Sequence, residues 1–346
     1  MDPSVRWLIA VAWAPWLCGC FLHAQAVLDR PAAFHRGVAL GLFNAELDEA
    51  PLLEEIRSTG ATDVSLVLTW LQEDVAATDL TDDAATPPPE RLRRVIRRAH
   101  ALGLRVMVFP IVRLRHRTAR EWRGLLQPRD LDRWFASYRE RVLALAALCD
   151  AEGVERLSIG SELVSLERHA ERWRALIRAA RARYRGAILY SANWDRYAEV
   201  PFWADVDLIG VSAYWGVTAP GARVTEADAI AGWRPIRERL AAFGRAQRRP
   251  IVFTEMGYPS VSGAGAWPWN DFLTGEDGVK DDEAQRRLYE AFTIAWSREP
   301  ALAGVYFWIW EDAGGFGDRG YSPRDKPAEL VVRSWFHPLD RLPPPR

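Results

Sequence analysis

The chain has 346 residues, 49% of them hydrophobic and 26% charged, with 45 Lys and Arg against 46 Asp and Glu for a formal net charge of -1. That balance excludes a nucleic-acid partner, because phosphate binding wants a clear basic excess, and the length suits one large domain better than two. With three cysteines and six scattered histidines, no disulfide framework and no metal-ligand cluster is expected, and the chain calls for no cofactor. Lys280 and Lys326 are the only lysines, so nearly every cation is an arginine. The informative excess is tryptophan, 17 residues. Its flat amphipathic ring serves either a large aromatic core or a ligand-stacking surface.

Residues 1–26 read as an export signal rather than as part of the fold. Arg6 precedes an apolar run from Trp7 to Leu22, too short for a comfortable membrane span and right for the hydrophobic region of a signal peptide. Two ends are open. Leu17-Cys18-Gly19-Cys20 resembles a lipobox and would make Cys20 a lipidated first residue; Ala24-Gln25-Ala26 resembles a cleavage site and would release a soluble protein. The expectation is therefore an exported protein, secreted or held in the bacterial cell envelope, touching the membrane only through such an anchor. Cys149 is then the only thiol of residues 27–346, in an apolar helical stretch where an inert buried side chain is expected.

From residue 27 onward short apolar runs alternate with helical patterns. Strands are predicted over Gly37–Phe43, Val64–Trp70, Arg105–Pro110, Arg156–Gly160, Ala187–Ala192, Asp207–Tyr214, Pro250–Glu255 and Gly304–Trp310, since runs of this length bounded by Gly or Pro suit buried parallel strands. Helices are predicted over Glu90–Leu102, Leu131–Glu152, Glu171–Tyr184, Ala229–Gln247, Asp281–Arg298 and Pro327–Phe336, while Trp194–Asp205 is too short and aromatic for one. Eight strands, most followed by a helix, predict an α/β fold: a single (β/α)8 TIM barrel over residues 27–346. A doubly wound sheet is the alternative, disfavoured because no Gly-rich phosphate loop follows the first strand.

Barrel enzymes carry their chemistry at the C-terminal ends of the strands. Read there, the sequence offers Trp70 and Gln72 after the second strand, Glu162 after the fourth, Asn193 and Trp194 after the fifth, Tyr214 and Trp215 at the sixth, Glu255 and Tyr258 at the seventh, and Trp310 at the eighth. Two isolated glutamates on opposed strands, among aromatics and amides, suit glycoside hydrolysis: one acid for the leaving oxygen, one ionised carboxylate to attack the anomeric carbon or activate water. Sugar C–H faces stack on the rings, and Gln72, Asn193 and Tyr214 suit hydroxyls. Either glutamate taken alone reads more readily as a solvated or arginine-paired loop charge, and each tryptophan equally as loop packing.

Several segments together resemble glycoside hydrolase family 113, the retaining β-mannanases of a large barrel superfamily. They are Val64–Gln72, Trp122-Arg123-Gly124, Trp134–Tyr138, Ile159–Leu163, Asn193-Trp194-Asp195, Ile209–Tyr214, Phe253–Tyr258 and Lys326-Pro327-Ala328, in order over most of the chain. The resemblance implies Glu162 as acid/base and Glu255 as nucleophile. It also implies Tyr214 hydrogen-bonded to that nucleophile, Trp310 as the floor of the scissile-sugar subsite, and Asn193 and Trp194 along the cleft. Two positions depart from the superfamily: Ser161 stands where Asn often precedes the acid/base, and Ile111 where a polar residue is expected. The second bears on mannan specificity more than on mechanism.

The expected function is a retaining glycosidase of a β-linked polysaccharide or oligosaccharide, with β-1,4-mannan as the first substrate to test, working as a monomer without a metal. For Glu162 to act as acid, a raised pKa from burial against aromatics is expected. The rivals are a glycosidase of another polysaccharide, such as an exopolysaccharide, and a non-catalytic carbohydrate-binding barrel at the cell surface.

Overall fold

A computed structural model describes residues 34–275, 278–311 and 314–337. The proposed signal, Cys20 and Ala24-Gln25-Ala26 lie outside the described residues.

Eight parallel strands close on themselves. In chain order they are β1 (His35–Gly41), β2 (Asp63–Gln72), β4 (Arg105–Leu114), β5 (Arg156–Ser161), β6 (Ala187–Asn193), β7 (Leu208–Ser212), β8 (Ile251–Met256) and β9 (Leu302–Trp310). The two-residue β3 (Leu80–Thr81) adds an antiparallel flap to β2. Closure comes from β1, which pairs with β2 from Gly37–Asp63 to Gly41–Val67 on one side and with β9 on the other. The predicted barrel is thus observed, with the fourth and seventh predicted strands becoming β5 and β8.

The helices are α1 (Glu49–Ser58), α2 (Pro89–Ala101), α3 (Leu131–Ala151), the single turn α4 (Val164–Glu167), α5 (Ala170–Arg181), α6 (Glu226–Gln247), α7 (Asp282–Trp296) and α8 (Pro327–Phe336). Helix α1 had no counterpart in the sequence reading. It is short, with Pro51 in its first turn, where proline is tolerated. The Asp48 carboxylate caps it by accepting from Ala50 N, and Leu52, Leu53 and Ile56 face the barrel. Strand β7 stops at Ser212, two residues earlier than predicted, because Ala213 N turns to Glu255 O and Tyr214 N to Ser212 O. The aromatic segment after β6 forms two 3-10 turns, Tyr197–Glu199 and Trp203–Asp205, in place of a helix.

The core has two layers. Inside the barrel, Ala39, Val67, Met107, Phe109, Leu189, Val252, Tyr306 and Ile309 pack together; between strands and helices lies a larger cluster that includes Trp134, Trp173, Trp233 and Trp310. The interior also holds charge. Asp63, fully buried at the start of β2, pairs with Arg156 of β5 and, at 2.7 Å, with Arg105 of β4; Tyr306 Oη accepts from Arg156 Nε at 3.1 Å. Cys149 is buried in α3, which pushes its thiol pKa up and keeps it inert. Among the described residues no helix is long and apolar enough to cross a membrane.

Candidate active site

At the C-terminal mouth of the barrel a cleft of about 510 Å³ is lined by residues of six loops, including Arg117, Trp122, Arg123, Glu162, Asn193, Trp194, Tyr214, Glu255, Trp269, Phe272, Trp308 and Tyr321. Glu162 and Glu255 stand in its floor, 6% and 2% exposed.

Local irregularity aims both. Glu162 follows β5 directly with φ 54°, the left-handed region that a side-chained residue seldom adopts. Its N–H donates to Ser191 O at 2.8 Å. Gly160, two residues earlier, has no room for a side chain: an added Cβ would lie 2.9 Å from Tyr138 Oη and 3.0 Å from the Tyr190 ring. On β8 the pairing with β9 slips between Phe253 and Met256, and that with β7 slips so that Ser212 faces Glu255. Such bulges re-aim side chains at strand ends; here Thr254 hydrogen-bonds Ser191 at 2.6 Å while Glu255, next along the chain, also reaches the cleft. Gly257 lets the chain leave this bulge past Trp308, whose carbonyl oxygen would sit 2.4 Å from an added Cβ.

A single cation joins the two carboxylates. Arg123 Nη2 lies 2.7 Å from Glu162 Oε2 and 4.0 Å from Glu255 Oε1. Ser212 Oγ donates to Glu162 Oε1. Tyr214 Oη donates to Glu255 Oε2 at 3.0 Å, and the ring of Tyr321 meets that of Tyr214 edge-on at 5.9 Å. Burial raises the Glu255 pKa to about 7 and the neighbouring Glu162 adds to the rise, while Arg123 and Tyr214 pull it down. The upward shift at Glu255 goes with its being the more deeply buried of the two and the farther from Arg123. Two carboxyls this close share their protons and titrate as a pair.

Of the other residues chosen from sequence, Asn193, Trp194 and Tyr214 line the cleft. Asn193 Nδ2 donates to Asp195 Oδ1 at 2.7 Å. Five lie outside the lining. Trp70 is buried edge-on against Tyr138. Gln72 accepts from Trp134 Nε1 at 2.8 Å and donates to Asp74 O at 2.8 Å, tying β2 to α3. Trp215 packs among Trp194, Tyr197, Trp233 and Phe253. Tyr258 is buried beside Tyr289. Trp310, 1% exposed, faces α1, where its Nε1 donates to Glu55 Oε2 at 3.1 Å. For Trp70 and Gln72 the physical reason is strand alternation, which turns both to the helix side; on β9 the alternation is broken, with the adjacent Trp308 and Ile309 both on the barrel interior and Phe307 and Trp310 on the helix side. The expected floor position is taken instead by Trp308, which packs on the barrel interior and opens onto the cleft; the Trp308–Ile309 peptide is cis.

Arg123 was visible in the sequence only as part of Trp122-Arg123-Gly124, with nothing in the pattern to say that its loop folds over the two glutamates. Trp269 and Phe272, 52% and 60% exposed, lie in a long loop after β8 that has no periodicity to read. Among the described residues no group of three or more His, Cys, Asp or Glu is arranged to hold a metal ion. The acidic loop Asp79–Asp83 is occupied with arginines: Asp79 with Arg133, Asp82 with Arg141 and Asp83 with Arg113.

The profile of Glycoside Hydrolase Family 113 matches residues 40–322. Among solved structures, the GH113 β-mannanase AaManA from Alicyclobacillus acidocaldarius, in complex with ManMIm, is 29% identical with a TM-score of 0.77, over 88% of this chain and 97% of that one. A second GH113 β-1,4-mannanase, 24% identical, superposes with a TM-score of 0.78 over 88% of this chain and 98% of its own. Fungal β-1,4-galactanases, 15% identical with a TM-score of 0.54, share the fold. A comparison with curated protein sequences finds no match. With the family profile spanning most of the barrel, and a cleft built around two facing carboxylates, the chain belongs to Glycoside Hydrolase Family 113 and is a glycoside hydrolase acting on carbohydrate.

Proposed function

We propose that this protein cleaves a β-linked mannan, or an oligosaccharide of it, with retention, using Glu255 as nucleophile and Glu162 as acid/base. The observation that carries the reading is the convergence of Glu162 and Glu255 on one cleft with Arg123 between them. Their facing oxygens can be no farther apart than the sum of the two Arg123 distances. That bound is compatible with the ~5–5.5 Å separation of retaining enzymes. The mannan component rests on the β-mannanase relatives.

In the first step the Glu255 carboxylate attacks the anomeric carbon while Glu162 delivers a proton to the departing glycosidic oxygen; in the second, Glu162 removes a proton from the water that releases the sugar. The pair must therefore carry one proton, on Glu162. In the cleft Arg123 sits on Glu162, and burial raises the Glu255 carboxyl, so the two share their protons as a pair. Arg123, 4.0 Å from Glu255, also favours the ionised nucleophile. Tyr214 steadies the attacking carboxylate through Oε2, and Trp308, Trp194 and Trp122 offer faces for sugar rings.

The test is cleavage of manno-oligosaccharides followed by NMR, with a panel of β-glucan, xylan and exopolysaccharides alongside. Release of the β-anomer first, with Glu162→Gln and Glu255→Gln each lower by orders of magnitude, is the expected outcome. Release of the α-anomer first refutes retention. Turnover of another glycan alone reassigns the substrate, and binding without turnover of any makes the barrel a lectin. Export is a further component of the proposal, with Cys20 as the lipidation site.

A further inference from the structure

We propose that Tyr190 and Glu167 are positioning residues that hold the left-handed elbow carrying Glu162. They act on the acid/base through the backbone and not on the sugar, and the proposal rests on the acid/base reading of Glu162.

Glu162 is one of three side-chained residues with positive φ among those described. A backbone in this region persists where the surroundings over-determine it, so the bonds around it are informative. On the near side Glu162 N–H is held by Ser191 O. The next N–H, that of Leu163, leaves the strand and belongs to no helix; it donates to Tyr190 Oη at 2.9 Å. A phenol has one proton, and Tyr190 gives its own to Glu167 Oε1 at 2.7 Å. Glu167 closes α4, and its N–H returns to Leu163 O at 3.2 Å, beside Leu166 N at 2.8 Å to the same oxygen. The path from Leu163 N–H through the phenol and the carboxylate back to Leu163 O is a closed circuit around the residue next to Glu162.

Neither member touches the cleft: both are absent from its lining, and Glu167 and Tyr190 are 4% and 0% exposed. Among the described residues Glu167 makes no ion pair. Burial, followed by the charges of Glu162 and Glu199, pushes its pKa up to about 7 against the opposing pull of Tyr190 and Arg196. A carboxyl so placed is disfavoured in its charged form and serves neither a surface ion pair nor the substrate; the hydrogen bond it accepts from Tyr190 is the contact that connects it to the site. The Tyr190 ring is independently fixed among Trp173, Phe202 and Trp203, so Tyr190→Phe deletes the hydroxyl and leaves the packing.

The experiment compares kcat/KM on a manno-oligosaccharide, whose poor leaving group needs Glu162 as acid, with kcat/KM on its 2,4-dinitrophenyl glycoside, whose leaving group departs without a proton. General acid catalysis is worth roughly 100- to 10,000-fold and small misplacement forfeits a good part of it. Tyr190→Phe and Glu167→Leu should therefore lose about 10- to 100-fold on the oligosaccharide and less than about threefold on the aryl glycoside. Glu167→Gln, which keeps an acceptor for the phenol, should stay near the wild type. Equal losses on both substrates, or none on either, overturn the proposal. Glu162→Gln run in parallel separates the two layers: if it shows no leaving-group dependence, it is the acid/base reading that fails. Independently of turnover, the Leu163 amide should be protected from hydrogen exchange in the intact protein and exchange at least about tenfold faster in Tyr190→Phe, since a buried donor loses its partner; an unprotected wild-type amide overturns the proposal whichever glycan the enzyme accepts.

Discussion

Replacing Arg123 by Met should move the pH–rate profile of the enzyme bodily toward higher pH. Among the described residues the guanidinium is the one cation within reach of both proposed catalytic carboxyls, 2.7 Å from Glu162 and 4.0 Å from Glu255. At 4 Å and an effective dielectric near 20, a unit charge is worth about 4 kcal/mol. At ~1.4 kcal/mol per pKa unit, its loss raises the Glu255 carboxyl by at most about three units from its present value near 7; water filling the vacated space reduces that to one or two, roughly. The sign follows from the charge. A cation favours ionisation, so removing it raises every proton affinity of the pair. The reactive form, one proton on two carboxyls, then begins and ends at higher pH, and both limbs of kcat/KM shift to the alkaline side. The assay is kcat/KM against pH on one soluble oligosaccharide, with Arg123→Lys as the charge-retaining control expected to shift less. Limbs that stay in place in a folded Arg123→Met protein, or that move toward acid, would refute the electrostatic role of this residue.

Four further outcomes follow from the same geometry. Glu255→Gln should be more stable than the wild type at neutral and alkaline pH. The folded protein holds this carboxyl protonated to about 7 against an ordinary 4.5, so ionisation opposes folding as pH rises through that window; the gain, of order 1–3 kcal/mol, should vanish below about 4.5 in urea melts at several pH values. Asp63→Asn should cost about 3–5 kcal/mol in chemical denaturation, because it strands Arg156 inside the barrel. Burial works to raise the Asp63 pKa, but Arg156, Thr62 and Arg105 outweigh it and hold it low; the wild type's advantage is thus complete above the ordinary value of 3.8 and fades as the pH falls below it. Trp308→Ala should raise KM with little change in melting temperature, whereas Trp310→Ala should destabilise by about 3–5 kcal/mol and leave the KM of the folded fraction alone, since Trp310 packs against α1 and Trp308 faces the cleft. Metabolic labelling with palmitate should mark the full-length protein and not Cys20→Ala if the lipobox ending is used; a cleaved, unlabelled protein starting after Ala26 supports secretion instead.

The barrel was legible in the sequence because its signals are local. Each strand is an apolar run short enough to tell from a helix, and Gly or Pro punctuates most of them. The two glutamates were legible for a related reason: a strand-end carboxylate beside glycine, as in Gly160-Ser161-Glu162 and Glu255-Met256-Gly257, stands out against an apolar run. Helix α1 escaped because ten residues with an early proline present fewer than three turns of pattern.

What position in the chain could not supply was direction. Trp70, Gln72 and Trp310 stand at strand ends just as Glu162 does, yet the alternation of the pleat turns Trp70 and Gln72 toward the helices, and an irregularity at Trp308 and Ile309, both on the interior, leaves Trp310 there too. At β8 even the alternation breaks: the slip against β7 and β9 is a property of three strands together, and it is what brings Glu255 to Tyr214. Arg123 is the clearest case. It lies some forty residues from one carboxylate and well over a hundred from the other in sequence, so its ion pairs, the shared proton and the raised pKa of Glu255 exist only once the barrel has closed and laid that loop across the cleft. Composition and periodicity are enough to choose a fold whose strand ends converge; the distances that decide which carboxyl holds the proton are set by tertiary packing, because charge coupling depends on separation in space and on burial.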